Sequence, residues 1–332
     1  PPRLVALMRQ ICNLHIGRAC QYVSGDEIFR LIDEEESNVV VEQLRSVLLV
    51  GGSFKRTYLD TRAQVAKECP QNPWRIQNNA IFFRLDRFLE RCYDMLDFTQ
   101  AILHFSELSK TDVGNTNGEK LTSLLHDISQ DFDVAVATIK TVDYDVMDID
   151  ASAFEADYTA FCRSVKDIEW RLSTVIGRAL DDSASIYGSF QLLSLFSDPL
   201  LSRPTIQNEL EGKRVELIQA YGKDLRAVQK IYLGQRDRFV GSDGSGSDLG
   251  TKGLGIGIGI GGDDVNLSQL PPISRALSWC RGLVDRAELP MTKLRHFDSG
   301  LLDREEAKEV FKTHEVLMAA LAEFEAQKIE QW

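Results

Sequence analysis

The sequence predicts an all-α protein made of elongated bundles of long antiparallel helices. Three observations carry the prediction. Apolar residues recur at intervals of three and four over stretches much longer than the roughly 11 to 12 residues of an average helix. Turn-forming residues cluster between those stretches. With 43% hydrophobic and 27% charged residues in 332, the chain holds enough apolar material for one large core or two ordinary ones.

Leu4 to Leu14 is apolar at 4, 5, 7, 8, 11 and 14, a helix with one buried stripe. Ser24 to Ile32 follows, and the carboxylates Asp33 to Glu36 read as a solvated turn. Val39 to Val50 is helical in period despite its valines, and Gly51-Gly52 is expected to punctuate the chain there. Phe54 to Cys69 is a further helix, broken by Pro70 and Pro73 before Trp74. The clearest stripe is Ile81, Phe82, Leu85, Phe88, Leu89, Cys92, Met95 and Leu96, continuing past Leu108 and stopping before the turn residues Gly114 to Gly118.

Leu121 to Val142 and Ala151 to Leu180 form two long helices, and Tyr144 to Ile149 reads as a solvated connector between them. Ile186 to Phe196 is a short helix expected to end at Pro199, and Ile206 to Phe239 is another long one. Ten glycines in 241–262 make ordering too costly in entropy and supply too little side chain to bury, which predicts a flexible surface insertion. Ile273 to Ala287 is helical after Pro271-Pro272, with a break expected at Leu289-Pro290-Met291. A last helix runs from about Leu302, its acidic start Asp303, Glu305 and Glu306 suiting the helix dipole. The organisation expected is a first helical segment over 1–110, a long-helix bundle over 119–240, the glycine-rich insertion over 241–269 and a helical continuation over 270–332.

The net charge of −12 argues against a nucleic-acid surface, which needs concentrated Lys and Arg. No run of about eighteen apolar residues exists, so membrane insertion is not expected. Cysteines 12, 20, 69, 92, 162 and 280 are too dispersed for a zinc knuckle or a disulfide scaffold and read as reduced, mostly buried thiols of a cytosolic protein. The sequence opens on Pro1-Pro2-Arg3 without a leader pattern and stops inside a helical pattern, as an excerpt of a longer polypeptide would.

The five histidines lie on different helices with no metal-binding spacing. The glycine tract fails as a phosphate loop, because Gly262 is followed by Asp263 and Asp264 where a lysine and a hydroxyl belong. The acids between Asp143 and Asp150 lack the central glycine and terminal glutamate of a calcium loop. No catalytic residue, cofactor, metal or small-molecule substrate is therefore expected. Aromatics placed with arginines are the informative feature: Trp74, Phe82, Phe83, Phe88 and Tyr93 with Arg75, Arg84, Arg87 and Arg91, and further on Trp279, Phe324 and Trp332. These residue types anchor protein interfaces, and they also fill cores. Phe82 and Phe83 cannot both occupy the centre of one stripe.

An ordered set of residues carries a resemblance. Trp74-Arg75, Ile81-Phe82-Phe83-Arg84-Leu85-Asp86-Arg87-Phe88, Lys120-Leu121, Phe132 and Tyr144-Asp145-Val146-Met147-Asp148 open it. Phe154, Asp157-Tyr158, Phe161, Lys166 to Leu172, Ala179 to Asp182, Phe190 to Leu193, Phe196 and Leu201 to Ile206 continue it, and Leu270 to Trp279, Arg281 to Leu283 and Pro290-Met291 close it. Over roughly 72–332 the chain resembles the amino-terminal tail region of dynein heavy chains, the axonemal branch and its outer-arm members more than the cytoplasmic branch. The glycine insertion departs from the family pattern, as a lineage-specific loop would.

The resemblance implies a non-catalytic, rod-like tail segment. It would assemble with other heavy chains, intermediate chains, light chains and docking proteins and anchor the motor to the ciliary doublet, with ATP hydrolysis and microtubule binding lying far downstream. Its expected location is the axoneme of a cilium or flagellum. The residues by themselves leave open a helical scaffold or tethering subunit of another assembly, and a small helical enzyme.

Overall fold

A computed structural model of the chain describes residues 2–71, 76–111, 118–183, 185–240, 271–297 and 299–331. Among these residues all regular structure is helical. Trp74, Trp332 and the glycine-rich tract lie outside the described residues, as does most of the turn expected at 114–118. The chain divides into two compact units, Pro1–Leu172 and Ser173–Trp332.

The first unit contains α1 (Pro2–Tyr22), α2 (Gly25–Asp33), α3 (Ser37–Glu68), α4 (Asn79–Phe105), a 3-10 turn (Leu108–Lys110), α5 (Gly118–Lys140) and the first part of α6 (Ala153–Asp181). Ser24 caps α2 by accepting the Glu27 N–H at 3.3 Å, with Asp26 and Glu27 placed to favour the positive end of the helix dipole. Glu35 takes a left-handed φ of 61° and lets the Glu36 N–H return to the Leu31 carbonyl at 2.8 Å. That closure makes the exposed carboxylate run a helix-terminating turn.

Matched pairs fix the direction of α3 against α4. Gly51 faces Leu89, Lys55 bonds Asp86 at 2.6 Å, Tyr58 meets Phe82 at 5.2 Å between ring centroids, and Arg62 bonds Asn78 at 2.7 Å. Residue numbers rise on one helix as they fall on the other, so the two are antiparallel. Along α4 and α6 the pairs Arg91–Phe154, Asp97–Tyr158 and Phe98–Phe161 rise together, so those two run parallel.

The break expected at Gly51-Gly52 does not occur, and α3 continues through both glycines for 32 residues. Gly51 is buried against α4, and a Cβ there would stand 2.7 Å from Leu89 Cδ2. The missing side chain makes room for the Leu89 side chain between α3 and α4, which offsets glycine's entropic cost within a helix. Gly52, one residue on, meets nothing within 4 Å.

The second unit holds the end of α6, α7 (Ile186–Leu193), α8 (Asp198–Leu201), α9 (Pro204–Val240), α10 (Pro272–Leu294), α11 (Ser299–Leu302) and α12 (Glu305–Glu330). Ser185 caps α7 by accepting the Gly188 N–H at 3.0 Å. Pro199 does not merely end a helix as expected; it stands in the first turn of α8, where its missing N–H costs nothing. Tyr221–Ala287 and Tyr232–Trp279 run antiparallel between α9 and α10, and Cys280–Leu321 and Glu288–His314 do so between α10 and α12. Helices α9 and α12 are then parallel, as Arg226–Glu309 and Tyr232–Ala320 require. Trp279 is wholly buried at the centre, stacked with Tyr232 at 6.3 Å and edge-on to Phe324 at 5.8 Å.

The break expected at Pro290 is also absent, because α10 runs on to Leu294. Proline removes the donor for the carbonyl four residues back and crowds the turn before it. Two features hold the helix together regardless. Pro290, Met291 and Leu294 are buried in the core, and the Tyr221 hydroxyl of α9 donates to the Ala287 carbonyl, next to the Arg286 carbonyl that Pro290 leaves without its helical donor, tying that turn to α9. Tertiary burial overrides local propensity here.

The adjacent glycines of α3 should respond with opposite signs. Gly51→Leu is expected to destabilise by about 1–3 kcal/mol through overpacking, and Gly52→Ala to stabilise by roughly 0.5–1 kcal/mol through helix propensity. Urea unfolding of the two variants checks the pair.

Candidate protein interaction surface

Helix α4 carries most of the residues singled out from sequence and sorts them by face. Phe82 and Phe88 are interior, Phe82 packing edge-on to Phe54 and Tyr58. Phe83 and Tyr93 point outward, 57% and 60% exposed. Ten residues apart, they share the outer side of α4 with Glu90 between them, while Asp86 turns toward Lys55 of α3. Arg84 and Arg87 reach sideways to Asp150 at 3.0 Å and Glu155 at 2.9 Å, pairs within the chain and largely in solvent. Such pairs contribute little to stability. In the second unit Trp279 and Phe324 are core residues.

The residue that organises this region is Arg91. It lies three positions after Phe88 and four before Met95, so its stem enters the core side of α4, and the residue is only 4% exposed. Its guanidinium lies 3.7 Å from the centre of the Phe154 ring. Nη1 donates to the carbonyls of Val146 at 2.8 Å and Asp148 at 2.9 Å, and Nη2 to that of Ala151 at 3.5 Å. The planar fork of arginine suits several convergent acceptors as lysine's ammonium does not. Cation–π contact with Phe154 adds to the hold.

The segment it grips was expected to be a solvated connector. It is a connector, but Val146, Met147 and Ile149 are buried. Asp145 and Asp148 turn their carboxylates onto the amides of Met147 and Asp150, each at 2.9 Å. These Asx turns expose the inner carbonyls to Arg91. Gly25 at the start of α2 lets the connector close in, since a Cβ there would stand 2.5 Å from Asp145 Oδ1. The charged position inside an apolar stripe was the available sequence signal for Arg91. The fifty-odd residues between it and its acceptors concealed what it serves.

The electrostatics of the face are acidic. Burial pushes the Asp94 carboxyl up to about 6; Arg91 opposes the rise, and Glu90, Asp97 and Glu155 reinforce it. The Tyr158 hydroxyl donates to Asp97 at 3.1 Å and that of Tyr144 to Asp157 at 2.7 Å, and burial raises both phenols above their ordinary range. All six cysteines are free thiols, with Cys12, Cys92 and Cys280 buried, Cys20 and Cys162 partly so, and Cys69 exposed. Burial lifts Cys92 to about 12 and Cys280 to about 11, which keeps them protonated and unreactive.

Among the described residues no group of His, Cys, Asp and Glu is arranged to hold a metal ion. A cavity of about 160 Å³ in the second unit is lined by Gln207, Glu211, Arg214, Gly300, Leu301 and Arg304. That is below the roughly 300–1,000 Å³ of ordinary ligand pockets, and an ion pair between Arg304 and Glu211 spans its wall. Helix α4 presents outward aromatics, Phe83 and Tyr93, set among carboxylates.

Two substitutions test this geometry. Arg91→Met should destabilise the first unit by at least about 2 kcal/mol, because the connector carbonyls lose charge-assisted donors while staying buried. Asp94 has a folded pKa above its unfolded one, so its stabilising share is complete below about pH 4 and lost as pH rises through about 6. Asp94→Asn should therefore stabilise by roughly 1 kcal/mol near pH 7.5, a value discounted for partial exposure, and change little near pH 3.5. Thermal melts across that range read both effects.

Comparison with known proteins bears on what this surface serves. A family model described as "Dynein heavy chain, N-terminal region 1" matches residues 1–332. The flagellar outer arm dynein beta chain of Chlamydomonas reinhardtii is 34% identical over 330 residues, 99% of this chain and 7% of that protein. The ciliary dynein beta chain of Heliocidaris crassispina is 26% identical and human dynein axonemal heavy chain 9 is 25% identical, each over 100% of this chain and 7% of the relative. The chain thus spans about 7% of the length of the relatives it matches. With the family model covering every residue, this chain belongs to the dynein heavy chain family, as its N-terminal region 1.

Proposed function

We propose that the chain is a tail segment of an axonemal dynein heavy chain, serving as a structural rod and an assembly surface. The observation that carries this is the family match over 1–332 to a heavy-chain N-terminal region, which is non-catalytic. The most similar relatives named above are flagellar, ciliary and axonemal heavy chains, and location in a cilium or flagellum is the corresponding reading. The partners proposed are other heavy chains, intermediate chains, light chains and docking proteins, through which the motor is anchored on the doublet microtubule. A scaffold of an unrelated assembly or a small enzyme has no comparable support.

Physical features favour a mechanical role. Long helices transmit load along hydrogen-bonded backbones, and α9 alone, at 37 residues, is about 55 Å long. Among the described residues no helix is long and apolar enough to cross a membrane. The outward Phe83 and Tyr93 are the residues of α4 best suited to anchor a partner, since their burial within the chain is already declined.

Crosslinking mass spectrometry on the intact parent complex tests the reading. Carboxylate-reactive crosslinks from α4, which carries no lysine, and amine-reactive crosslinks from α12 to other heavy or intermediate chains are expected, and Phe83→Ser with Tyr93→Ser should weaken co-purification of those subunits without lowering the melting temperature. Crosslinks confined to the chain itself would make this segment a spacer.

A further inference from the structure

Helix α1 has two apolar faces and uses one. On its inner side Cys12 is buried, and Val5, Met8 and Ile16 pack with it against Ile81, Phe82 and Leu85 of α4. A second stripe runs Leu4, Leu7, Ile11 and Leu14 in steps of three, four and three, the seam spacing of paired helices. Leu7 is 53% and Leu14 67% exposed with the whole chain present, and Tyr22, five turns on from Leu4, is 54% exposed. Leu4 and Ile11 are half-buried.

The charge around the stripe selects its partner. The chain carries 50 acidic residues against 38 basic ones, yet residues 1–25 contain no Asp or Glu. Helix α1 has Arg3, Arg9 and Arg18. Arg9 is committed to the Ala80 carbonyl at 2.5 Å, whereas Arg3 is exposed beside the stripe and Arg18, four residues after Leu14, is exposed at its C-terminal continuation. A second copy of α1 would set arginine against arginine. A protein that wraps a basic helix from all sides cannot do so here, because the inner face is occupied. What fits is a helix lying alongside, with apolar residues at matching spacing and carboxylates on its flanks.

We propose that the outer stripe of α1 docks an acidic amphipathic helix contributed by another subunit of the assembly. The inference rests on the assembly-surface reading above and deepens it by naming a second site and the chemistry of its partner. Electrostatic complementarity sets the choice of partner, and the leucine seam supplies the buried contact.

Amine-reactive crosslinkers bypass this helix, since the first lysine of the chain is Lys55. A photoreactive leucine analogue at Leu14 in the intact parent complex is the direct test. Adducts to a helix of another subunit with carboxylates flanking an apolar stripe are expected; adducts only within the same polypeptide, or to a basic segment, overturn the proposal. Loss of the α1 adducts with α4 crosslinks retained would overturn this inference alone and leave the assembly reading standing.

A binding assay complements it, using the 332-residue chain and labelled helical peptides of α1's own length, 21 residues. The peptides carry leucines at the same spacing and either Glu or Lys flanks. The Glu peptide should bind at least about tenfold more tightly than the Lys peptide. Leu7→Ser with Leu14→Ser should abolish binding at an unchanged melting temperature, and Arg3→Glu with Arg18→Glu should reverse the preference. Equal binding of the two peptides refutes the charge argument. Binding to phosphatidylserine vesicles that the serine pair removes would assign the stripe to a lipid surface instead and refute the proposal.

Discussion

The guanidinium of Arg91 is the interaction on which the first unit depends. A cation buried this deeply would be costly by itself, and burial lowers its pKa. The cost is offset because three connector carbonyls, from Val146, Asp148 and Ala151, would otherwise be buried acceptors in want of donors. Each side resolves the other's problem. Through this contact α4, the connector and the start of α6 become one packed body, with Gly25 allowing α2 to close against it. Burial in this packed body, reinforced by Glu90, Asp97 and Glu155, makes Asp94 resist ionisation.

The second unit solves a similar problem without a buried cation–carbonyl knot. Its three long helices run up, down and up, and Trp279, Tyr232 and Phe324 fill the space between them. The proline of α10 is absorbed because Pro290, Met291 and Leu294 are buried in the core, and the Tyr221 hydroxyl ties the turn before it to α9 through the Ala287 carbonyl. Nearby, His314 is 4% exposed and faces Glu288 at 3.0 Å, with desolvation pushing its pKa below the ordinary range and Glu288 opposing the shift. Both units keep helices continuous where local sequence would interrupt them.

Function in such a segment resides in what folding leaves unused. Phe82 and Phe83 are adjacent, but one completes the core and the other is spare. The same division occurs within α1, whose inner face is spent on α4 and whose leucine seam is not. A catalytic protein concentrates perturbed polar groups in a cleft. Here the perturbed groups secure structure, and the spare apolar groups lie on rigid helical surfaces where another chain can reach them.

Period and composition alone determined the helical class, the positions of most helices and the acidic character, because three-and-four spacing over long stretches admits one kind of secondary structure. The resemblance of ordered residues was also legible, since family-specific identities survive without knowledge of packing. Only the tertiary structure decided that Gly51-Gly52 and Pro290 lie inside helices. Their local penalties are fixed by sequence, but the close approach to Leu89 and the core that buries Pro290, both of which offset them, come from distant parts of the chain. The same holds for the orientation of Phe82 against Phe83 and for Arg91. A periodic stripe shows which residues can be buried together, and the neighbouring helices determine which of them are.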